Sequence, residues 1–535
     1  MNQRPLKLLL ICAFLAGAGL RFAHLDKKVF WIDEVSTAWA VSGYTPSEVD
    51  RAIAARRFIH PDALTRFQLD DAGHSARDVI RVLASSDAAH VPLYYLVLRS
   101  WRSAWGSSIV TMRLFSVLAS LGALLCAYVL SLQLFSSGLA ARLAVVLLAL
   151  SPLHLFYAQE AREYSALTLV VLASSCLMLA ALRRNSIAGW SIYALMALIG
   201  IYTSLLFAFV LAAHALYVVV TALRCRRRLA AFLSAAAPAV VGILPWIHDL
   251  SLQRNAVAED LAWTATPETL RGYLITLSTT FGQLFFSAAS SSKYERFSAG
   301  VLVMALALCS FWILARRGPR NAAIFLSLLC AAALLPLLVG DVISGGHRLT
   351  IARYGLSAYV GIELAIAYAA SLALRHAQAS IRATSFAALG VLLAAAVCSC
   401  IYDVGRPVAL DSLRSSFAPD AALVINTARS PILLSSLYKH NDLDMSSLSH
   451  LLRAGVAIRF VGDDERFELP AACLHGVGGD LFVFNPSPRL LTTLQADGSH
   501  RLHLVTTPAQ IPLFELSGRC GPTQGARAPL HGPGR

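Results

Sequence analysis

Long apolar runs recur along most of this chain, and they constrain its fold more than any other feature. A helix of about 20 apolar residues crosses the hydrocarbon layer of a bilayer. Eleven runs of roughly this length are predicted as spans: 6–23, 112–134, 142–157, 164–182, 187–201, 205–223, 229–249, 300–315, 321–340, 354–374 and 383–401. Only 14% of the 535 residues are charged, against about a quarter in soluble proteins. A soluble globular protein, a disordered chain and a coiled coil are therefore excluded.

The net charge of +14 is confined to short connections between the spans. Six of these segments hold 14 Lys or Arg residues and no Asp or Glu, which leaves 31 basic against 31 acidic residues elsewhere. Cytoplasmic loops of membrane proteins are enriched in Lys and Arg. The excess therefore indicates topology rather than nucleic-acid binding. We predict an inner (cytoplasmic) membrane protein of bacterial type with a cytoplasmic N-terminus and outward segments at 24–111, 158–163, 202–204, 250–299, 341–353 and from 402 onward.

Several boundaries follow from the same rule. The runs on either side of 202–204 are predicted as two helices, because a single helix would place Arg224–Arg228 outside, and a second break is expected at 136–138. The first run lacks a small-residue cleavage site and is expected to remain as a helix rather than a signal peptide. Pro92–Gly106 carries Arg99 and Arg102 opposite its apolar positions. It is predicted as an amphipathic helix on the membrane surface.

Three parts are expected along the chain. Residues 1–401 form a transmembrane domain that includes the outer loop 24–111, residues 402–518 a small extracytoplasmic α/β domain, and residues 519–535 a disordered end rich in Gly, Pro and Arg. In the tail, strands are predicted at 422–426, 456–461 and 481–484, and helices at 432–438 and 448–454. Cys473 and Cys520 can form a disulfide if this region is extracytoplasmic. The predicted fold class is thus an all-α polytopic membrane protein with a small α/β domain.

An acidic pair, Asp33 and Glu34, follows the first span by about ten residues. Paired carboxylates at the outer headgroup level suit general-base catalysis on a substrate that arrives in the lipid. The structural alternative is an exposed pair that caps the next helix, where carboxylates interact favourably with the helix dipole. Position alone leaves both interpretations open.

Basic and aromatic residues gather in three further outward segments. His90, near Tyr94, opens the predicted surface helix; Glu160, Arg162 and Tyr164 lie in a very short outer loop; His347, Arg348, Arg353 and Tyr354 precede the tenth span. Guanidinium groups bind phosphates through paired donors. Arg and Tyr are also common interfacial anchors in membrane proteins, so each segment alone has a structural alternative. Their convergence on one face suits transfer from a lipid phosphate.

Two ionisable residues, His214 and Glu363, lie midway along predicted spans. Such residues are often functional, although pairing with polar groups of other helices is an equally good interpretation. No His or Cys spacing typical of a metal site occurs, so no metal ligand is assigned.

The order of these motifs resembles the GT-C membrane glycosyltransferases, in particular the protein O-mannosyltransferase-like and aminoarabinose-transferase-like group (glycosyltransferase family 39 or 83-like). The similarity rests on the Asp33-Glu34 pair, His90-Val91-Pro92-Leu93-Tyr94-Tyr95, Met112-Arg113-Leu114-Phe115-Ser116, Ser151-Pro152, Arg162-Glu163-Tyr164 and Arg353-Tyr354. It covers roughly residues 6–401. The chain has Val91 where many members have a second Pro, and His90 where aminoarabinose transferases have Lys.

The resemblance implies an inverting transferase that uses a polyprenyl-phosphate-linked sugar. Asp33 would be the catalytic base and Glu34 would assist in orientation, while His90, Arg162 and Arg353 would hold the leaving phosphate. Some relatives use a divalent metal. The expected acceptor is a cell-envelope glycan, lipid or protein, and the expected sugar a hexose or pentose. The alternatives are a transporter or flippase of polyprenyl-linked glycans, and a receptor or assembly protein.

Overall fold

A computed structural model describes residues 4–55, 58–69, 73–222, 225–287, 292–408, 410–462, 480–496, 500–506 and 511–518. The chain forms two compact units. The first, mainly helical unit comprises residues 1–28, 37–45 and 70–411, and the second comprises 29–36, 46–69 and 412–535. The predicted disordered end, 519–535, and both Cys473 and Cys520 lie outside the described residues.

The helices from the N-terminus to the end of the apolar region are α1 Arg4–Leu20, α2 Ile32–Ser42, α3 Pro46–Ala54, α4 Pro61–Thr65, α5 Ala76–Ser86, α6 Pro92–Trp105, α7 Ile109–Phe135, α8 Gly138–Ala149, α9 Pro152–Ala158, α10 Tyr164–Arg184, α11 Ile187–Thr203, α12 Phe207–Ala222, α13 Arg226–Gly242, α14 Leu244–Leu252, α15 Arg254–Asp260, α16 Leu270–Gly282, α17 Lys293–Arg317, α18 Arg320–Ser344, α19 Leu356–Ala373 and α20 Ala379–Gly405. Helix α2 crosses from the second unit into the first at residue 37. Helices α3 and α4 belong to the second unit.

Every predicted span overlaps a helix or a pair of helices, and the chain is a multi-pass membrane protein. Within the described residues, seven helical segments are long and apolar enough to cross a bilayer, and α8 with α9 adds an eighth if this bent pair counts as one span. Helices α1, α11 and α12 coincide with predicted spans but have only 16 or 17 residues. The predicted breaks near 136–138 and 202–204 are confirmed, with Ser136 in a left-handed conformation at the end of α7.

The prediction of one continuous span over 142–157 is wrong. Helix α8 ends at Ala149, and α9 begins at Pro152 with its axis turned by 62°. Proline favours the first turn of a helix and has no N–H to continue the preceding one. The break leaves carbonyl groups without helical partners in an apolar region, where an unsatisfied carbonyl is costly.

Arg21 supplies the missing donors at this break. Its guanidinium, which is fully buried, donates to the carbonyls of Ala149 (2.6 Å) and Leu148 (3.1 Å). The same group donates to Gly17 O at 2.7 Å and to Ser120 Oγ at 2.9 Å. A side chain at Gly17 would clash, because a Cβ there would lie 2.5 Å from the carbonyl oxygen of Ala149. Close packing of α1 on α8 therefore brings the guanidinium to the broken span.

The two midspan ionisable residues both have partners on other helices. Glu363 of α19 pairs with His154 of α9 at 2.9 Å. His214 of α12 contacts the hydroxyls of Tyr193 (3.1 Å) and Ser175 (3.2 Å). Pairing with polar groups of other helices, the structural interpretation, fits both sites. Glu363 lies in the same helical unit as the buried Arg21, and its negative charge favours the charged guanidinium.

The predicted amphipathic helix at 92–106 is present as α6, but its arginines do not simply face water. Arg102 is buried and donates to Ser42 Oγ at 3.4 Å. Arg99 donates to the carbonyls of Val41 (2.7 Å) and His74 (2.6 Å). Both side chains therefore hold the end of α2 and the loop before α5, which the helical spacing in the sequence does not reveal.

The second unit is built on a five-stranded sheet, and the predicted α/β class of the tail is confirmed. Its strands are β1 Ile432–Ser436, β2 Ala457–Val461, β3 Leu481–Phe484, β4 His500–Thr506 and β5 Leu513–Gly518, in the order β2-β1-β3-β5-β4. Strands β1, β2 and β3 are parallel, and β5 and β4 extend the sheet antiparallel. Among the described residues of the tail, the helices are α21 Ala418–Thr427, α22 Asn441–Ser449 and α23 Pro488–Ala496.

Three local predictions in the tail are wrong. Residues 422–426 lie in α21 rather than in a strand, and 432–438 contain β1 rather than a helix. The helix predicted at 448–454 lies earlier, as α22. Short apolar runs do not distinguish a strand from a helix, and β1 is central, with parallel partners on both sides. Strands at 456–461 and 481–484 are confirmed as β2 and β3.

Candidate active site

The charged loop between α9 and α10 is buried. Gln159, Glu160, Arg162 and Glu163 are all at most 5% exposed. The sequence placed these residues in a short outer loop, where solvent-exposed anchors were one interpretation. Burial of several charges is unfavourable unless they are paired. The loop is therefore a charged cluster enclosed by the protein, which is how perturbed functional groups are usually held.

Arg162 is the centre of this cluster. One terminal nitrogen donates to Thr37 Oγ1 at 2.9 Å and to the Tyr95 hydroxyl at 3.4 Å. The other lies 2.6 Å from His90 Nε2. The Nε atom is 3.5 Å from a carboxylate oxygen of Glu163. The planar guanidinium is thus held from several sides, which fixes its position in the cluster.

His90 reaches Arg162 from the loop between α5 and α6. Its Nδ1 lies 2.8 Å from a carboxylate oxygen of Asp87. Arg162 can only donate, so its contact with Nε2 requires a neutral imidazole with its proton on Nδ1. The Nδ1–H group then donates a hydrogen bond to Asp87. A carboxylate oxygen of Glu163 lies 3.7 Å from Nε2. Protonation of Nε2 would turn this atom from an acceptor for Arg162 into a donor for an anion.

The pKa of His90 is raised above its ordinary value. Burial is the largest single influence and lowers this pKa, and Arg162 lowers it further. The facing carboxylates of Asp87 and Glu163 outweigh both effects by stabilising the imidazolium. His90 is therefore more readily protonated than an isolated imidazole.

Aromatic residues enclose the cluster. Tyr94 and Tyr95 are both buried at the start of α6 and pack edge-to-face, with their ring centroids 5.4 Å apart. Burial raises the pKa of both hydroxyls well above the ordinary value, so they remain neutral hydrogen-bonding groups. The guanidinium of Arg162 lies 5.8 Å from the ring centroid of Tyr164. Glu160, also in the buried loop, is within electrostatic range of Tyr94.

The acidic pair begins helix α2. Asp33 and Glu34 lie in its first turn, in the part of the helix that belongs to the second unit. Glu34 is 1% exposed and Asp33 is half-buried, so the pair is not simply an exposed cap. Thr37, the partner of Arg162, follows Asp33 by four residues on the same helix. Residues four apart lie on one face of a helix.

The remaining predicted cations belong to the loop between α18 and α19. Arg348 donates to Ser344 Oγ at 2.6 Å and lies 3.7 Å from Asp341. Asp341 also accepts the backbone N–H groups of Arg348 and Leu349, which fixes the start of this loop. These contacts identify Arg348 as a residue that holds the loop, and its phosphate role stays a prediction.

An aromatic ring joins the other members of this loop. The ring of Trp263 is tilted by 58° against that of His347, with the centroids 5.9 Å apart, and it lies 5.6 Å from the guanidinium of Arg353. Arg353 is also 5.6 Å from the ring of Tyr354. The structure therefore groups most of the predicted basic and aromatic residues into two clusters, one around Arg162 and one around Trp263.

Four residues of the Arg162 cluster were not among the predicted site residues: Thr37, Asp87, Tyr95 and Glu163. Tyr95 and Glu163 adjoin predicted residues, and Thr37 is one helical turn from Asp33. Asp87 carried no signal beyond its position three residues before His90. Among the residues that the structure describes, no group of three or more His, Cys, Asp or Glu side chains is arranged to hold a metal ion.

Comparison with known proteins gives distant structural matches. No protein-family model and no curated protein matches the chain. Crystal structures of ArnT from Cupriavidus metallidurans align over 96% of this chain and 98% of theirs, at 14% identity and a TM-score of 0.48 with undecaprenyl phosphate bound, and at 15% and 0.38 in the apo state. The oligosaccharyltransferase of Archaeoglobus fulgidus aligns over 90% of this chain and 70% of its own, at 12% identity and a TM-score of 0.46.

At identities below 25% and TM-scores below 0.5, these structures assign neither an activity nor a residue role to this chain.

Proposed function

We propose that this protein is a membrane glycosyltransferase that transfers a sugar from a polyprenyl-phosphate-linked donor to an acceptor outside the cytoplasm. The observation that carries the proposal is the buried Arg162, which contacts Thr37, Tyr95 and His90. A guanidinium held in this way is a strong binding group for a phosphate. A multi-pass chain gives such a group access to a phosphate that arrives on a lipid.

In the proposed reaction the acceptor hydroxyl attacks the anomeric carbon of the donor sugar. The bond between that carbon and the phosphate oxygen breaks, and the electron pair leaves with the polyprenyl phosphate. The hydroxyl proton goes to Asp33. Because the reaction is a single displacement at the anomeric carbon, the anomeric configuration inverts. General-base assistance of this kind contributes roughly 10²–10⁴-fold to rate.

The larger contribution is electrostatic. Negative charge develops on the departing phosphate, and Arg162 stabilises it. When His90 Nε2 is protonated, it no longer accepts from Arg162 and becomes a second donor to the phosphate. Donors fixed in a water-poor site stabilise developing charge without reorganising, and each is worth about 2.7–4 kcal/mol where it has been measured. Glu34 assists in orientation, and Arg353 is a second phosphate contact. In this proposal the cations bind the donor phosphate before the chemical step.

The test uses purified full-length protein in detergent with a polyprenyl-phosphate sugar and a mixture of envelope acceptors. Release of polyprenyl phosphate is measured by mass spectrometry. Asp33→Asn is expected to lower the turnover at least about 10²-fold while donor binding persists. Asp26→Asn, at another carboxylate of the preceding loop, is the control. Turnover by Asp33→Asn at the unmodified rate would contradict the base assignment.

A transporter of polyprenyl-linked glycans is the second candidate. It is favoured by the broken span α8–α9 and by buried His154 and Glu363, because transporters place polar groups at broken helices near the midplane. Arg21, however, satisfies the carbonyls at that break, and His154 and Glu363 pair with each other. All three side chains therefore have a structural role. A transporter requires two compartments, whereas release of polyprenyl phosphate in detergent requires none and separates the two functions.

The proposed location is an inner membrane of bacterial type, with the N-terminus in the cytoplasm and the C-terminal unit outside. The asymmetric distribution of basic residues supports this orientation. The acceptor is an envelope glycan, lipid or protein.

A further inference from the structure

The loop that carries His90 is held by a side chain inserted into the end of helix α5. In a continuing helix, the N–H of Ala88 would donate to the carbonyl of Ala84, four residues earlier. The carboxamide of Gln253 occupies that position instead. Its nitrogen donates to the Ala84 carbonyl, and its oxygen accepts the Ala88 N–H at 3.3 Å. One side chain thus bridges the interrupted helical hydrogen bond.

A second residue from the same region holds the other side of Ala88. Trp246 donates through its ring N–H to the Ala88 carbonyl at 2.9 Å, and both residues are buried. Trp246 lies on α14, and Gln253 lies between α14 and α15. Both peptide groups of Ala88 are therefore fixed by a segment that is remote in sequence.

We propose that Trp246 and Gln253 are positioning residues that set the place of His90 in the Arg162 cluster. Ala88 lies between Asp87 and His90, the two ends of the hydrogen bond that orients the imidazole. Displacement of Ala88 would change both the contact with Asp87 and the 2.6 Å approach of Nε2 to Arg162. The proposal rests on the proposed function only in taking phosphate as the ligand.

The groups around His90 define what such a displacement changes. Asp87 faces Nδ1, and Arg162 and Glu163 face Nε2. From α6, the ring of Tyr95 packs against the imidazole, with centroids 6.2 Å apart. A loosened loop weakens these contacts together. The pKa of His90 then returns toward the ordinary value of about 6.5.

The experiment uses full-length Gln253→Leu and Trp246→Phe in detergent. The second variant keeps an aromatic ring and removes only the N–H donor. Affinity for a short-chain polyprenyl phosphate is measured against pH, and the pKa of His90 is measured by NMR of ¹⁵N-labelled histidine, with His90→Asn to assign the signal. Gln378→Leu and Trp312→Phe, at exposed positions, are the matched controls.

We expect a loss of about threefold to tenfold in affinity, the worth of one hydrogen bond. The inflection in the pH profile should move with the pKa of His90, while the controls match the unmodified protein. A loop with only a structural role would lower the melting temperature without moving this inflection. If folded Trp246→Phe and Gln253→Leu keep both the pKa and the affinity, the proposal is overturned.

Failure of the proposed function gives a different result. If the unmodified protein does not bind polyprenyl phosphate but the pKa of His90 still shifts in the variants, then the ligand is wrong and the positioning role stands. If Gln253→Leu does not fold, Trp246→Phe decides, because it removes one donor and retains the packing.

Discussion

Replacement of Arg162 by Ala tests the buried cluster most directly. Arg162 is 3% exposed and pairs with Glu163, which is 5% exposed, so its removal leaves a carboxylate buried beside Tyr94 and His90. Breaking a buried ion pair from one side costs about 3–5 kcal/mol. We expect Arg162→Ala to lose this amount in the free energy of unfolding, measured by denaturant titration in detergent. Affinity for polyprenyl phosphate should fall at the same time.

The controls separate charge from size. Arg162→Ala combined with Glu163→Ala should recover part of the lost stability, because no uncompensated charge remains, while affinity for the phosphate stays low. Arg162→Lys keeps the charge but not the forked donors, so it should be more stable than Arg162→Ala and still bind weakly. Arg184→Ala, at an exposed position at the end of α10, the helix that follows the loop, should change stability by less than about 0.5 kcal/mol. Unchanged stability and affinity in Arg162→Ala would refute the pairing and the phosphate role.

Three further predictions concern other charges. Arg21→Met should lower the free energy of unfolding by about 3–5 kcal/mol, since it leaves several buried carbonyls without a donor. Arg142→Met, on the exposed side of α8, should be nearly neutral. Equal losses in the two variants would exclude the role of Arg21 at the broken span. Affinity for polyprenyl phosphate should rise as pH falls through the raised pKa of His90. After correction for the titration of the phosphate itself, this rise should disappear in His90→Asn. Burial, with a contribution from Asp50, raises the pKa of Asp442 to about 7. The folded state then binds more protons than the unfolded state between about pH 4 and 7, so the second unit loses stability as pH rises through this range. Asp442→Asn should remove this loss. If the stability of Asp442→Asn depends on pH as that of the unmodified chain does, the prediction is wrong.

The membrane part of the fold is largely predictable because its rules are local. A run of apolar residues and the side on which Arg residues fall are visible in any short window, and they give the breaks near 136–138 and 202–204. The break at Leu150–Ser151 interrupts a run that stays apolar on both sides, and only Pro152 signals it. What stabilises the break is Arg21, which lies 128 residues from Ala149 and carries no such information locally.

The candidate site follows the same division. The charge density of residues 159–163 marks the loop in sequence, and so does the segment around His90. The contacts that make it a site join Arg162 to residues 125, 67 and 72 positions away, namely Thr37, Tyr95 and His90. No periodic pattern encodes such pairings. The helix predicted at 432–438 is wrong for a related reason, because the five-residue strand β1 found there is defined by its partners β2 and β3 rather than by its own sequence.

Polar and charged side chains hold both ends of the short helix α9, and this placement connects the broken span to the candidate site. Arg21 binds the carbonyls at the end of α8, and His154 of α9 pairs with Glu363. At the other end of α9, Gln159 donates to the carbonyls of Leu20 and Ala23 at 2.9 and 2.8 Å. The short helix is thus fixed at both ends before the chain reaches Arg162. If Arg162 is the proposed phosphate contact, this fixing of α9 contributes to its function, because a cation stabilises developing charge best when its position is set before the reaction.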